Sequence, residues 1–94
     1  MVAIIETLRE VRQEIFTKYK AEVKGIFGSF ARGEQRSESD LDVLVAFGEG
    51  ATLLDYVGLG LFLEDKLGIP VDVVPIDTIK AELREGILHE TVSV

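Results

Sequence analysis

A small mixed β-sheet flanked by helices, an α/β (α+β) arrangement, is the fold class this chain predicts. Three observations carry the prediction. Apolar stretches with a helical period alternate with short β-branched runs, and glycines and prolines fall at the boundaries between them. No internal repeat, low-complexity tract or linker interrupts the alternation. The resulting order, α-β-α-β-α-β-α, suits one sheet with helices packed on it. With 94 residues, 47% of them hydrophobic, the expectation is a single domain over residues 1–94, because domains typically run about 50–200 residues.

Each element has its own signal. Residues 2–19 carry Ile4, Ile5, Leu8, Val11, Ile15, Phe16 and Tyr19 at helical spacing with polar residues between. Glu22 to Phe27 reads as a first strand ending at the turn Gly28-Ser29. Ser29 is placed to cap a short helix through Arg32, closed by Gly33. Glu34 to Ser39 is a polar loop leading to a second strand, Leu41 to Phe47, which Gly48-Glu49-Gly50 breaks. Thr52 and Asp55 form a helix-start box, and the helix runs to Leu67 with Gly68 closing it. Its expected core face is Leu54, Val57, Leu61, Phe62 and Leu67. Gly58 and Gly60 lower its helicity by about 1 kcal/mol each relative to Ala, which suggests close packing there. Ile69 to Pro75 reads as a third strand bracketed by prolines, and Asp77 is expected to cap a last helix over about 78–89.

The chemistry concentrates at the end of the first strand and the start of the second. Gly28 and Ser29 are separated by ten residues from Asp40-Leu41-Asp42. Side chains at i and i+2 of an extended strand leave the same face, so Asp40 and Asp42 are expected to converge while Leu41, Val43 and Val45 face the other way. Two carboxylates held together resist ionisation unless a cation lies between them. For hard oxygen ligands beside a phosphate-binding turn, Mg²⁺ is the natural cation. Asp72, alone among the apolar residues of the third strand, would join them if that strand pairs beside the second. Three carboxylates could hold one or two metal ions, and the third could serve instead as general base.

This pattern, G-S-x10-D-x-D followed by an Asp on a strand, resembles the nucleotidyltransferase superfamily that includes DNA polymerase β and kanamycin nucleotidyltransferase. The form Gly28-Ser29-Phe30-Ala31-Arg32-Gly33 and the segment Val71-Asp72-Val73-Val74 are most similar to its minimal branch. Those small prokaryotic MNT-domain proteins are commonly paired with HEPN-domain partners as toxin–antitoxin systems. The resemblance covers residues 20–75 in detail and implies a nucleotidyltransferase-like fold. It implies that Gly28 and Ser29 contact the triphosphate of ATP. Asp40 and Asp42 would ligate Mg²⁺, and Asp72 would be the third ligand or the base. Arg32 would lie near the phosphates or structure the loop, its other reading being a salt bridge to Glu34 or another surface acid. The implied reaction is transfer of AMP from ATP to a tyrosine of a HEPN-domain toxin, silencing it.

Composition narrows the alternatives. The formal charge is −7, from 17 acidic and 10 basic residues, and no basic patch is large enough to suggest a long nucleic-acid substrate. No cysteine is present, which excludes disulfides, thiolate catalysis and zinc–thiolate sites. A basic signal-peptide region is absent from the start, and no run of about 20 apolar residues offers a membrane span; the expectation is a cytoplasmic protein. A P-loop is excluded because no Gly-Lys-Ser/Thr follows the glycines. His89, the single histidine, reads as structural or exposed. The helix beginning after Thr52 is apolar nearly all round, leaving room for a homo- or hetero-oligomeric contact. Two rival functions stand beside protein adenylylation: an antitoxin acting by contact alone, and a transferase acting on a small molecule or an RNA end.

Overall fold

The computed structural model describes residues 1–94. Four strands form one sheet in the order β3-β2-β1-β4, with β1 at Ala21–Phe27, β2 at Leu41–Phe47, β3 at Val71–Pro75 and β4 at Val92–Ser93. β1 runs antiparallel to β2 and to β4, while β2 and β3 are parallel. This is the small mixed sheet the sequence predicts. The helices are α1 (Val2–Tyr19), α2 (Ser29–Arg32), α3 (Leu53–Leu67) and α4 (Ala81–Glu90). None is long and apolar enough to cross a membrane.

α1 and α3 lie together against one face of the sheet. Ile5, Leu8 and Ile15 from α1 and Leu59 and Leu63 from α3 meet Leu41, Val43 and Val45 of β2 in one buried cluster. The alternation expected of β2 is present, with Leu41, Val43 and Val45 turned into this core and Asp42 off it. Leu44, two residues beyond Asp42, is also buried but lies outside that cluster.

The capping box of α3 forms as expected: the Thr52 Oγ1 accepts from the Asp55 N–H, and the Asp55 carboxylate accepts from the Thr52 N–H at 2.8 Å. Gly68 closes the helix with a left-handed backbone.

Four expectations are corrected. The buried face of α3 is Leu59 and Leu63, with Phe62 and Leu67 partly covered; Leu54 is 82% exposed, Leu61 64% exposed, and Val57 also faces out. The helix carries apolar residues on nearly every side, so periodicity alone could not choose its phase. Of its two inner glycines, Gly58 does permit close packing, since a Cβ there would meet the Tyr19 ring at 2.9 Å, whereas at Gly60 the nearest atom, Val73 Cγ2, is an ordinary 3.8 Å away. Ser29 is the first residue of α2 rather than its cap, a place taken by Gly28. Finally, Asp77 falls in a single 3₁₀ turn, Ile76–Thr78, and α4 begins only at Ala81 with no side-chain cap. The two-residue β4 carries no signal of its own in the sequence.

Candidate active site

Three strand ends assemble the site. Phe27 pairs with Asp42 across the antiparallel β1–β2 ladder, which sets the following Gly28 against the Asp42 side chain. Asp42 pairs in turn with Asp72 across the parallel β2–β3 ladder. Register partners on neighbouring strands, about 4.8 Å apart, project to the same face, so the two carboxylates stand side by side. The Leu41 N–H donates to the Pro70 carbonyl at 2.9 Å, and the Val71 N–H to Glu64 Oε2 at 3.0 Å. These bonds tie the start of β2 and of β3 to each other and to α3.

Gly28 has a backbone that only glycine adopts without strain, φ 77° and ψ −152°. A Cβ on it would overlap the Asp42 carboxylate. The turn therefore approaches the acid more closely than a residue with a Cβ could, and α2 follows at once, with the Arg32 N–H donating to the Gly28 carbonyl and the Glu34 N–H to that of Ser29.

Asp40 precedes the first residue of β2 and is exposed, so the ladder does not fix its direction. Asp72, on the edge strand, is exposed as well, while Asp42 is half-buried. No three Asp, Glu or His side chains lie close enough together, as they stand, to hold a metal ion. Asp40 and Asp72 are nonetheless near enough to act on Asp42: burial pushes its carboxyl above the ordinary range, the charges of Asp72 and then Asp40 push it further, and Arg32 opposes them. A central carboxylate made uncomfortable by burial and two like charges, within an all-oxygen donor set, fits a hard divalent cation, whose charge would relieve both.

Arg32 has two partners. Its Nε donates to Glu34 Oε1 at 2.7 Å, and its Nη1 lies 3.4 Å from Glu90 Oε1. The contact with Glu34 is one that the sequence suggested; Glu90 is a residue it missed. Glu90 Oε1 also accepts from the Gly28 N–H at 3.1 Å, across 62 positions of chain. No local motif connects such distant residues, and only the packing of α4 beside β1 joins them.

The chain is similar to known proteins in sequence and in overall fold. Residues 5–94 match the family model described as the nucleotidyltransferase domain. The protein adenylyltransferase MntA of Thermococcus cleftensis is 38% identical over 96 residues, covering 94% of this chain and 96% of that protein. A Methanocaldococcus jannaschii protein, MJ0435, provisionally named a protein adenylyltransferase, is 43% identical over 90 residues, covering 93% and 97%. Among solved structures, one provisionally described as a minimal nucleotidyltransferase superimposes with a TM-score of 0.77 at 46% identity, covering 96% of this chain and 95% of that one. A toxin–antitoxin crystal structure with AMP-PNP superimposes with a TM-score of 0.60 at 26% identity, covering 85% and 60%.

Proposed function

The chain belongs to the nucleotidyltransferase domain family, and from that premise we propose that it is an ATP- and Mg²⁺-dependent protein adenylyltransferase of the cytoplasm. In this reading residues 1–94 form a single minimal domain. It transfers AMP to a hydroxyl of a partner protein, with a tyrosine of a HEPN-domain toxin as acceptor. The observation that carries the reading is the pairing of Asp42 with Asp72 directly beside the Cβ-free face of Gly28. Two carboxylates and a glycine turn packed directly on one of them thereby share one end of the sheet. The names of the relatives and the nucleotide-bearing toxin–antitoxin neighbour support the choice of adenylyl group and acceptor class.

Each residue then has a task. The Gly28 backbone and the Ser29 hydroxyl donate to the phosphates, and the Arg32 guanidinium balances their charge. Asp40, Asp42 and Asp72 would hold Mg²⁺ once their side chains turn towards one point, and the ion would supply charge neutralisation to the reacting phosphates. Asp72, exposed at the sheet edge, takes the proton from the attacking hydroxyl. The acceptor oxygen forms its bond to the α-phosphorus as the bond to pyrophosphate breaks.

One observation favours a contact role alongside catalysis. Leu53, Leu54, Val57 and Leu61 form an exposed apolar stripe along α3, at one end of which Val57 and Leu61 line a shallow cavity of about 230 Å³ together with Asp72. An acceptor protein resting on the stripe would bring its hydroxyl to that carboxylate.

The test is incubation with α-labelled ATP, Mg²⁺ and a HEPN-domain partner, with the Asp40→Asn/Asp42→Asn double variant as control. Label on the partner with wild type alone supports the reading. Neutralisation of the partner by a stable complex, with no label transferred, would replace it with contact inhibition.

A further inference from the structure

We propose that Glu90 is a built-in occupant of the phosphate-binding turn, a carboxylate that ATP must displace in order to bind. The proposal rests on the assignment of Gly28 and Arg32 to the nucleotide phosphates. Glu90 takes the donors that assignment needs: its Oε1 accepts from the Gly28 N–H at 3.1 Å, and its two oxygens lie 3.4 and 3.5 Å from Arg32 Nη1. A carboxylate presents the same chemistry to an amide and a guanidinium as a phosphate oxygen pair does.

The rest of its surroundings oppose a negative charge. Glu90 is the last residue of α4, and an acid at a helix C-terminus faces the negative end of the helix dipole. Its charge also adds to that of Asp72 and Asp40 in acting against ionised Asp42. Glu90 is therefore held chiefly by two donors that a triphosphate would claim, in a place where neighbouring charges favour its departure. Its side chain is 36% exposed, so it can swing to water without moving the helix. A site open for only a fraction of the time shows an affinity reduced by that fraction. Glu90 thereby sets the concentration of ATP at which the enzyme loads.

Calorimetric titration of ATP in the presence of Mg²⁺ into wild type, Glu90→Gln and Glu90→Asp tests this. The Gln variant keeps both the length and an acceptor but loses the charge. The Asp variant keeps the charge but falls short of the donors by one methylene. Both are expected to bind ATP about tenfold more tightly than wild type, the equivalent of ~1.4 kcal/mol. The Gly28 amide resonance should shift in each variant, and in wild type when ATP is added. If Glu90→Asp keeps wild-type affinity while Glu90→Gln tightens, Glu90 acts by distant charge and the proposal is overturned. Equal or weaker binding by both variants, with wild type binding normally, makes Glu90 a structural tie and also overturns it, leaving the nucleotide assignment standing. If none of the three binds ATP, the nucleotide assignment itself fails and the proposal falls with it.

Discussion

Replacing Gly28 by Ala probes the close packing of the Gly28-Ser29 turn on Asp42. Two separate terms act. The backbone at φ 77°, ψ −152° lies where a residue with a Cβ is strained by about 1–3 kcal/mol. The new methyl also overlaps the Asp42 carboxylate, and forcing an atom into occupied space adds about 1–3 kcal/mol. A loss of roughly 2–6 kcal/mol is a large share of the 5–15 kcal/mol that keeps an ordinary domain folded. At about 4–8 °C per kcal/mol for a domain of this size, the melting midpoint falls by about 10 °C or more. Gly33→Ala is the reference for backbone strain without overlap, because Gly33 lies in the ordinary left-handed region at φ 72°, ψ 22° with nothing within 4 Å of a Cβ. Urea denaturation of both variants then gives, by difference, the overlap together with the extra strain of the Gly28 backbone. If Gly28→Ala is destabilised no more than Gly33→Ala, the carboxylate does not sit against the turn and the site geometry is wrong.

Other expectations follow from the same contacts. Asp42→Asn should abolish AMP transfer yet, in Mg²⁺-free buffer, melt above wild type at neutral pH. Burial and the neighbouring acids raise the Asp42 pKa, so the stabilisation from its proton is complete below the ordinary carboxylate value and lost as pH rises through the raised folded value. The Asn advantage should disappear below about pH 4, and a variant less stable than wild type at pH 7 would contradict this. Leu59→Ala should cost about 2–5 kcal/mol, while Leu54→Ala on the outer face of α3 should stay within about 0.5 kcal/mol; similar losses at both would reverse the corrected face. Thr52→Ala removes the capping box and should cost about 1 kcal/mol in thermal unfolding. Arg32→Ala should leave the unfolding midpoint near wild type but weaken ATP binding about tenfold, as loss of a charge-assisted phosphate contact does; unchanged affinity would assign Arg32 to its acidic neighbours alone.

Much of this protein is written in short-range chemistry. The alternation Leu41-Asp42-Val43, the Thr52–Asp55 box and the Gly33 and Gly68 closures each act within a few residues, so the three long helices and the three main strands could be read directly, with boundaries off by a few positions where no cap exists, as before α4. The approach of Gly28-Ser29 to Asp42 could also be read, because a single hairpin-like pairing of β1 with β2 is enough to bring them together. What lay beyond reading is what distant segments decide jointly. α3 is apolar on nearly all sides, so its buried phase is chosen only by the fit of Gly58 against Tyr19 and of Leu59 and Leu63 into the cluster shared with α1. β4 is two residues long and exists only because β1 offers an edge to pair with. Glu90 has no motif at all; it reaches Gly28 and Arg32 because the last helix folds back on the first strand. The long helices, the three main strands and the acids are set by local chemistry, since caps, turns and strand alternation act over a few residues. The Asp42–Asp72 register and the hold of Glu90 on the Gly28 turn come from packing alone, since both depend on which segments meet after the chain has closed on its core.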